Sequence, residues 1–83
     1  MKVQVLGTGC PKCRLLAERV QMAAQEAGLR IDLLKVTEIQ EILAFGVLGT
    51  PALVIEGQLK FSGKVPDVAE LRALLAAHAT SEV

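Results

Sequence analysis

The sequence predicts an α/β fold with the element order β-α-β-α-β-β-α. Short apolar runs stopped by glycine alternate with stretches whose apolar residues recur every three or four positions, the periods of strand and helix. The first half runs strand, helix, strand, helix, which joins parallel strands by a right-handed crossover. The second half brings two strand-like runs together around a glycine, which makes a hairpin and so an antiparallel pair. A parallel pair and a hairpin in one small chain give a mixed sheet.

Residues 3–6 form a short Val-rich run ended by Gly7-Thr8-Gly9 and read as a buried strand. A helix follows from Pro11 to Ala27, with Leu16, Val20, Ala23 and Ala27 at helical spacing and Arg14, Glu18 and Gln21 on other faces. Pro11 suits a first helical position and Gly28 a left-handed stop. Cys10 then stands at the N-cap and Cys13 in the first turn. Residues 30–36 alternate, with Ile31, Leu33 and Val36 against Asp32 and Lys35, as a second strand does. Thr37-Glu38-Ile39-Gln40 fits a capping box opening a short helix that runs to Phe45 and stops at Gly46. Residues 52–56 read as a buried strand, Gly57-Gln58 as a two-residue turn, and Leu59-Lys60-Phe61-Ser62 as the returning strand, ended by Gly63. Pro66 opens a last helix with Asp67 and Glu70 in its first turn and Leu71, Leu74 and Leu75 on its apolar face. Residues 80–83 read as a frayed tail.

With 83 residues, 52% hydrophobic and 22% charged, the chain is expected to be one ordered domain, residues 1–83. Its core is aliphatic, because the only aromatics are two Phe. Nine basic side chains balance nine acidic ones, so no global field recruits nucleic acid or anionic lipid. Without Trp or Tyr, a base-stacking platform is also excluded. No apolar stretch approaches the roughly 20 residues of a membrane span, and the N-terminal run is too short for a signal peptide. The expectation is a cytoplasmic monomer, with no nucleic-acid and no membrane partner.

The two cysteines are Cys10 and Cys13 in Cys10-Pro11-Lys12-Cys13. A disulfide closing so short a loop adds little stability, so the pair serves chemistry or a metal. Helix N-terminal amides stabilise an anion and lower a thiol pKa from about 8.5 toward roughly 3.5–7.5. Lys12 adds a positive charge. Cys10 as thiolate attacks a disulfide, and Cys13, one turn deeper, resolves the mixed disulfide. Structural zinc takes four ligands, and His78 is far along the chain, so no closed zinc site forms. Two-coordinate Cu(I) on the two thiolates stays open as an alternative. Lys35, Lys60, Lys64 and His78 read as solvated. The second segment of interest is Gly49-Thr50-Pro51, directly before the third strand. Taken alone it is an ordinary trans-proline strand start, since about 5–6% of X–Pro bonds are cis. The apolar residues 45–49 beside it read as a helix end that caps the core, with a surface that receives partner side chains as the alternative.

Cys10-Pro11-Lys12-Cys13 after the first strand and Thr50-Pro51 before the third together resemble the thioredoxin/glutaredoxin superfamily. The likeness extends through the element order and is nearest its small, redox-active-disulfide members. It implies a minimal thioredoxin-like fold, a four-stranded mixed sheet with helices on both faces. It implies a protein disulfide oxidoreductase with Cys10 as nucleophile, Cys13 as resolving thiol, and Pro11, Lys12 and a cis Pro51 in support. Thr50, Gly49 and Gly63 would meet the substrate, the Thr50 backbone pairing with an extended segment. Protein disulfides would be the substrates, a thioredoxin reductase-type protein or glutathione the donor, and no cofactor or metal would be needed beyond the Cys10–Cys13 disulfide. Gln4 stands where thioredoxins proper carry a buried acid, and Gly9 where they carry Trp. The alternative is a Cu(I) or other thiophilic-metal chaperone. Those proteins resemble a β-α-β-β-α-β order with Met where this chain has Thr8.

Overall fold

The computed structural model describes residues 1–9, 11–47 and 49–80. The elements are β1 (Lys2–Leu6), α1 (Pro11–Ala27), β2 (Asp32–Val36), α2 (Ile39–Ala44), β3 (Ala52–Ile55), β4 (Gln58–Ser62) and α3 (Val68–Thr80), in the order the sequence predicts. They build one mixed sheet of strand order β2-β1-β3-β4. β1 runs parallel to β2, with Val5 opposite Lys35, and antiparallel to β3, with Leu6 opposite Ala52. The first strand of the chain is therefore an inner strand, paired along both edges.

Alternation along β1 divides the core into two layers. Val3 and Val5 point to one face, where Leu16, Val20 and Ala23 of α1 and Leu71 and Leu75 of α3 close over them. Leu6 points to the other face and packs with Ile42 of α2, Val47 and Val54. β3 is buried at every position because both faces are covered. The helix period of α1 places Leu16, Val20 and Ala23 at 0% exposure, and its alanines complete a wholly aliphatic seam with α3.

The ends of several elements depart from expectation. The capping box at Thr37 does not form: α2 begins at Ile39, and Glu38 at its N-cap makes no side-chain cap bond. Thr37 thus lies one residue too far out for its hydroxyl to reach the first free amides. The hairpin turn is Glu56-Gly57, one residue earlier than Gly57-Gln58, and β4 accordingly begins at Gln58. Both turn residues have positive φ, 50° and 80°, the signature of a type I′ turn, whose twist matches that of the strands. Glu56 is held there because its N–H donates to the Lys2 carbonyl at 2.9 Å while its Oε1 accepts the Lys2 N–H at 3.1 Å. Leu53 pairs with Phe61 but Val54 with Leu59, so Lys60 is an extra residue and β4 carries a bulge. α3 begins at Val68, not at Pro66. Asp67 is its cap, Oδ1 accepting the Glu70 N–H at 2.9 Å. Pro66 is buried upstream, and its carbonyl accepts Arg19 Nη1 at 3.1 Å, tying the loop to α1. Lys60 and His78, expected in solvent, are half-buried. Thr80 closes α3, and residues 81–83 of the expected tail lie outside the described residues.

Candidate functional site

The site forms where β1 ends. Leu6 pairs with Ala52, so in the antiparallel register the next residue of β1, Gly7, comes opposite the residue that precedes β3, Pro51. The Gly7 N–H extends the ladder to the Val36 carbonyl at 2.9 Å. The chain then turns through Thr8 and Gly9, which has φ 91°, into α1. Cys10, the predicted nucleophile, and Leu48 of the apolar loop lie outside the described residues. Pro11 is the first residue of α1, as expected, and both it and Lys12 are exposed.

Cys13 sits in the first turn of α1 and is 6% exposed. It packs down onto Gly7. A Cβ placed on Gly7 would lie 3.1 Å from the Cys13 Cβ, would overlap its Sγ, and would come 3.9 Å from the Cβ of Thr50. Gly7 is therefore the contact plane between the two motifs, and sequence reasoning assigned it only the ending of a strand. Its one legible signal was a glycine at the junction of strand and motif, which is equally the signal of an ordinary turn.

The second motif is in place beside it. The Thr50–Pro51 peptide is cis. Pro51 is buried and Thr50 exposed. The Pro51 carbonyl accepts the Gly63 N–H at 2.8 Å, and the Gly63 Cα lies 3.8 Å from a Cβ built on Gly49. The structure thus gathers Cys13, Gly49, Thr50, Pro51 and Gly63 at one end of the sheet, from three separate stretches of chain. Lys64 does not join them; its Nζ stands 3.9 Å from Glu70 and 5.6 Å from the centre of the Phe61 ring.

Two hollows open at this end of the sheet, and Cys13 lines the first. On the β2 side a cleft of about 100 Å³ has Val5 and Gly7 as its floor, Cys13 as one wall, and Arg14, Lys35 and Thr37 around it. The other hollow, about 190 Å³, runs from Thr8 past α2 to Thr50 and is bordered by Ile39 and Leu43, each 62% exposed. The expected position of the missing acid, Gln4, shares the α2 face with Leu6 by alternation. The side chain that lines the cleft with Cys13 is instead Val5. Among the described residues no group of three or more His, Cys, Asp or Glu could hold a metal.

A minimal mixed sheet with Cys13 of a Cys-x-x-Cys sequence in the first turn of its first helix, and a cis X–Pro bond at the same end of the sheet, defines a dithiol redox domain. The family model described as a thioredoxin domain matches residues 1–76. Thioredoxin of Methanothermobacter thermautotrophicus is 35% identical over 75 residues, spanning 90% of this chain and 97% of that one. Thioredoxin of Methanocaldococcus jannaschii is 37% identical over 70 residues, 84% and 80% of the two chains. A probable thioredoxin of Archaeoglobus fulgidus is 42% identical over 69 residues, 80% and 75%. The fold is similar to that of thioredoxin 1 from Thermosipho africanus, with a TM-score of 0.61 over 99% of this chain and 98% of that one at 17% identity. The chain belongs to the thioredoxin family and is a thiol–disulfide oxidoreductase. Such proteins carry electrons on their own sulfur and need no cofactor. The metal-chaperone alternative finds no support: the element order is not that of those proteins. Among the described residues no helix is long and apolar enough to cross a membrane.

Proposed function

We propose that the protein, as one domain over residues 1–83, reduces protein disulfides through Cys10 and Cys13. The observation that carries this reading is the burial of Cys13 against Gly7 and beside Thr50, one helical turn beyond Cys10 in sequence. The Cys10 thiolate attacks one sulfur of the substrate disulfide. A Cys10–substrate bond forms, and the other substrate sulfur leaves with the electron pair and takes a proton from water. Cys13, as thiolate, then attacks Cys10. The Cys10–Cys13 bond forms, the mixed disulfide breaks, and the second substrate sulfur leaves reduced. The protein has lost two electrons and the substrate has gained them. Pro11 starts the helix whose amides favour the Cys10 anion, and Lys12 adds positive charge nearby. The Thr50 backbone pairs with an extended substrate segment, with Gly49 and Gly63 keeping the approach open and Pro51, which has no N–H, leaving the sulfur unbonded. The setting is the cytoplasm, the protein acts as a monomer, and its electrons come from a thioredoxin reductase-type protein or from glutathione.

The test is a pair of variants. Cys10→Ser abolishes disulfide reduction, whereas Cys13→Ser accumulates a covalent adduct with the substrate that mass spectrometry detects and a thiol reductant releases. Retention of activity by Cys10→Ser overturns the assignment.

A further inference from the structure

We propose that Arg19 is a positioning residue, tying the loop between β4 and α3 to the helix that carries Cys13 and so fixing Gly63 beside Pro51. The inference rests on the reading that Thr50 and Gly63 meet the substrate. Residues 63–67 leave the sheet after β4 and reach α3 with no strand or helix of their own. Val65 packs against the core and Pro66 is buried, so their carbonyls sit in a part-buried place and need donors. Arg19, half-buried on α1, supplies them. Its Nη1 donates to the Val65 carbonyl at 3.3 Å and to the Pro66 carbonyl at 3.1 Å. A guanidinium donor carries charge, and such bonds are stronger than those between neutral groups.

The loop is thus held at three points. At its start Gly63, with φ 75°, donates its N–H to the Pro51 carbonyl at 2.8 Å. At its end Asp67 caps α3. Arg19 holds the middle, from the same helix that sets Cys13 on Gly7. One exposed residue, Lys64, separates Gly63 from the clamped pair. Without the clamp, the Gly63 backbone keeps its bond to Pro51 but loses the nearest fixed point on its other side. Its Cα lies 3.8 Å from a Cβ built on Gly49, so a small shift of the loop narrows or widens the approach to Thr50. The cysteine chemistry sits at the start of α1 and does not pass through this loop. The clamp therefore acts on the docking of an extended substrate and leaves the sulfur exchange itself alone.

The test compares Arg19→Met, which keeps an apolar stem and removes the donors, with Arg72→Met, which removes a cation from the exposed pair with Glu26 near the far end of α1. Amide exchange followed by NMR reads the clamp directly. In Arg19→Met the Gly63 N–H exchanges roughly three- to ten-fold faster, the scale of one such bond lost, while the amides of β1 keep their protection. Kinetics read the consequence. With insulin as the protein disulfide, Arg19→Met raises KM by a similar factor and leaves kcat as it was. Reduction of 2-hydroxyethyl disulfide, which has no peptide backbone to pair, is unchanged. Arg19→Lys restores most of both readouts, and Arg72→Met changes neither. Unchanged Gly63 exchange in Arg19→Met overturns the inference, as does faster exchange with no rise in KM. An equal loss on both substrates, or faster exchange throughout β1, also overturns it, because either marks a role in stability alone. Disulfide reduction persisting in Cys10→Ser would instead defeat the proposed function and leave the Gly63 exchange result standing.

Discussion

Gly7 is the residue on which the two halves of the site converge. Its φ is ordinary, so any side chain could adopt its backbone; what forbids one is Cys13 lying directly on it. Gly7→Ala is expected to cost about 1–3 kcal/mol, the usual penalty of an overpacked site, measured by urea denaturation. Replacing Cys13 by Ala removes the sulfur, so Gly7→Ala should cost less in that background, and a double-mutant cycle reads the difference directly. Cys10, Cys13, Thr50 and Pro51 could be singled out from sequence because their types carry chemistry at a fixed spacing. Gly7 could not, because its role is a pairwise contact with a residue on another element. The same reason hid Val5 as the floor of the cleft: counting back from Cys10 leads to Gln4, but only the facing of β1 shows which side chain lies below the thiol.

At the level of elements, the interiors were legible and the ends were not. The bounds of α1 follow from Pro11, Gly28 and an unbroken apolar stripe, and the structure has them at Pro11 and Ala27. Where two candidate caps compete within a residue or two, the sequence cannot say which one the tertiary packing selects. Thr37 looked like a cap and is not one; Asp67 looked like a first-turn acid and is the cap. Asp67→Ala is therefore expected to lower stability by about 0.5–2 kcal/mol in equilibrium unfolding. Thr37→Ala stays within roughly 0.5 kcal/mol of the parent, because no helix end depends on its hydroxyl. The hairpin was legible as a hairpin, but its turn was displaced by one because Glu56 accepts a positive φ that a sequence reader reserves for glycine.

For the whole molecule, stability comes from two aliphatic layers on either side of one sheet, and the larger lies under α1 and α3. Leu71 is fully buried at the centre of that layer. Leu71→Ala should cost about 2–5 kcal/mol through lost burial and the cavity left behind, a large part of the total for so small a protein, read by thermal and urea unfolding. The ion pair joining the same two helices, Arg72 Nη1 to Glu26 Oε1 at 2.7 Å, has both side chains 46% exposed and adds little beside it. This scale was the most legible of the three. Element order and the parallel and antiparallel pairings follow from alternation, connection length and handedness, which need no knowledge of individual contacts.

The site draws Gly7 and Cys13 from the start of the chain, Thr50 and Pro51 from its middle, and Gly63 from beyond the hairpin. During synthesis the ribosome delivers the cysteine pair long before the strand that closes over it. Until β3 docks against β1, Cys13 can have the Val5 and Gly7 floor that β1 supplies but not Thr50, the cis Pro51 or Gly63 beside it. The site is therefore completed only when β3 joins the sheet, and a chain truncated before residue 49 carries the cysteines without the second half of their surroundings.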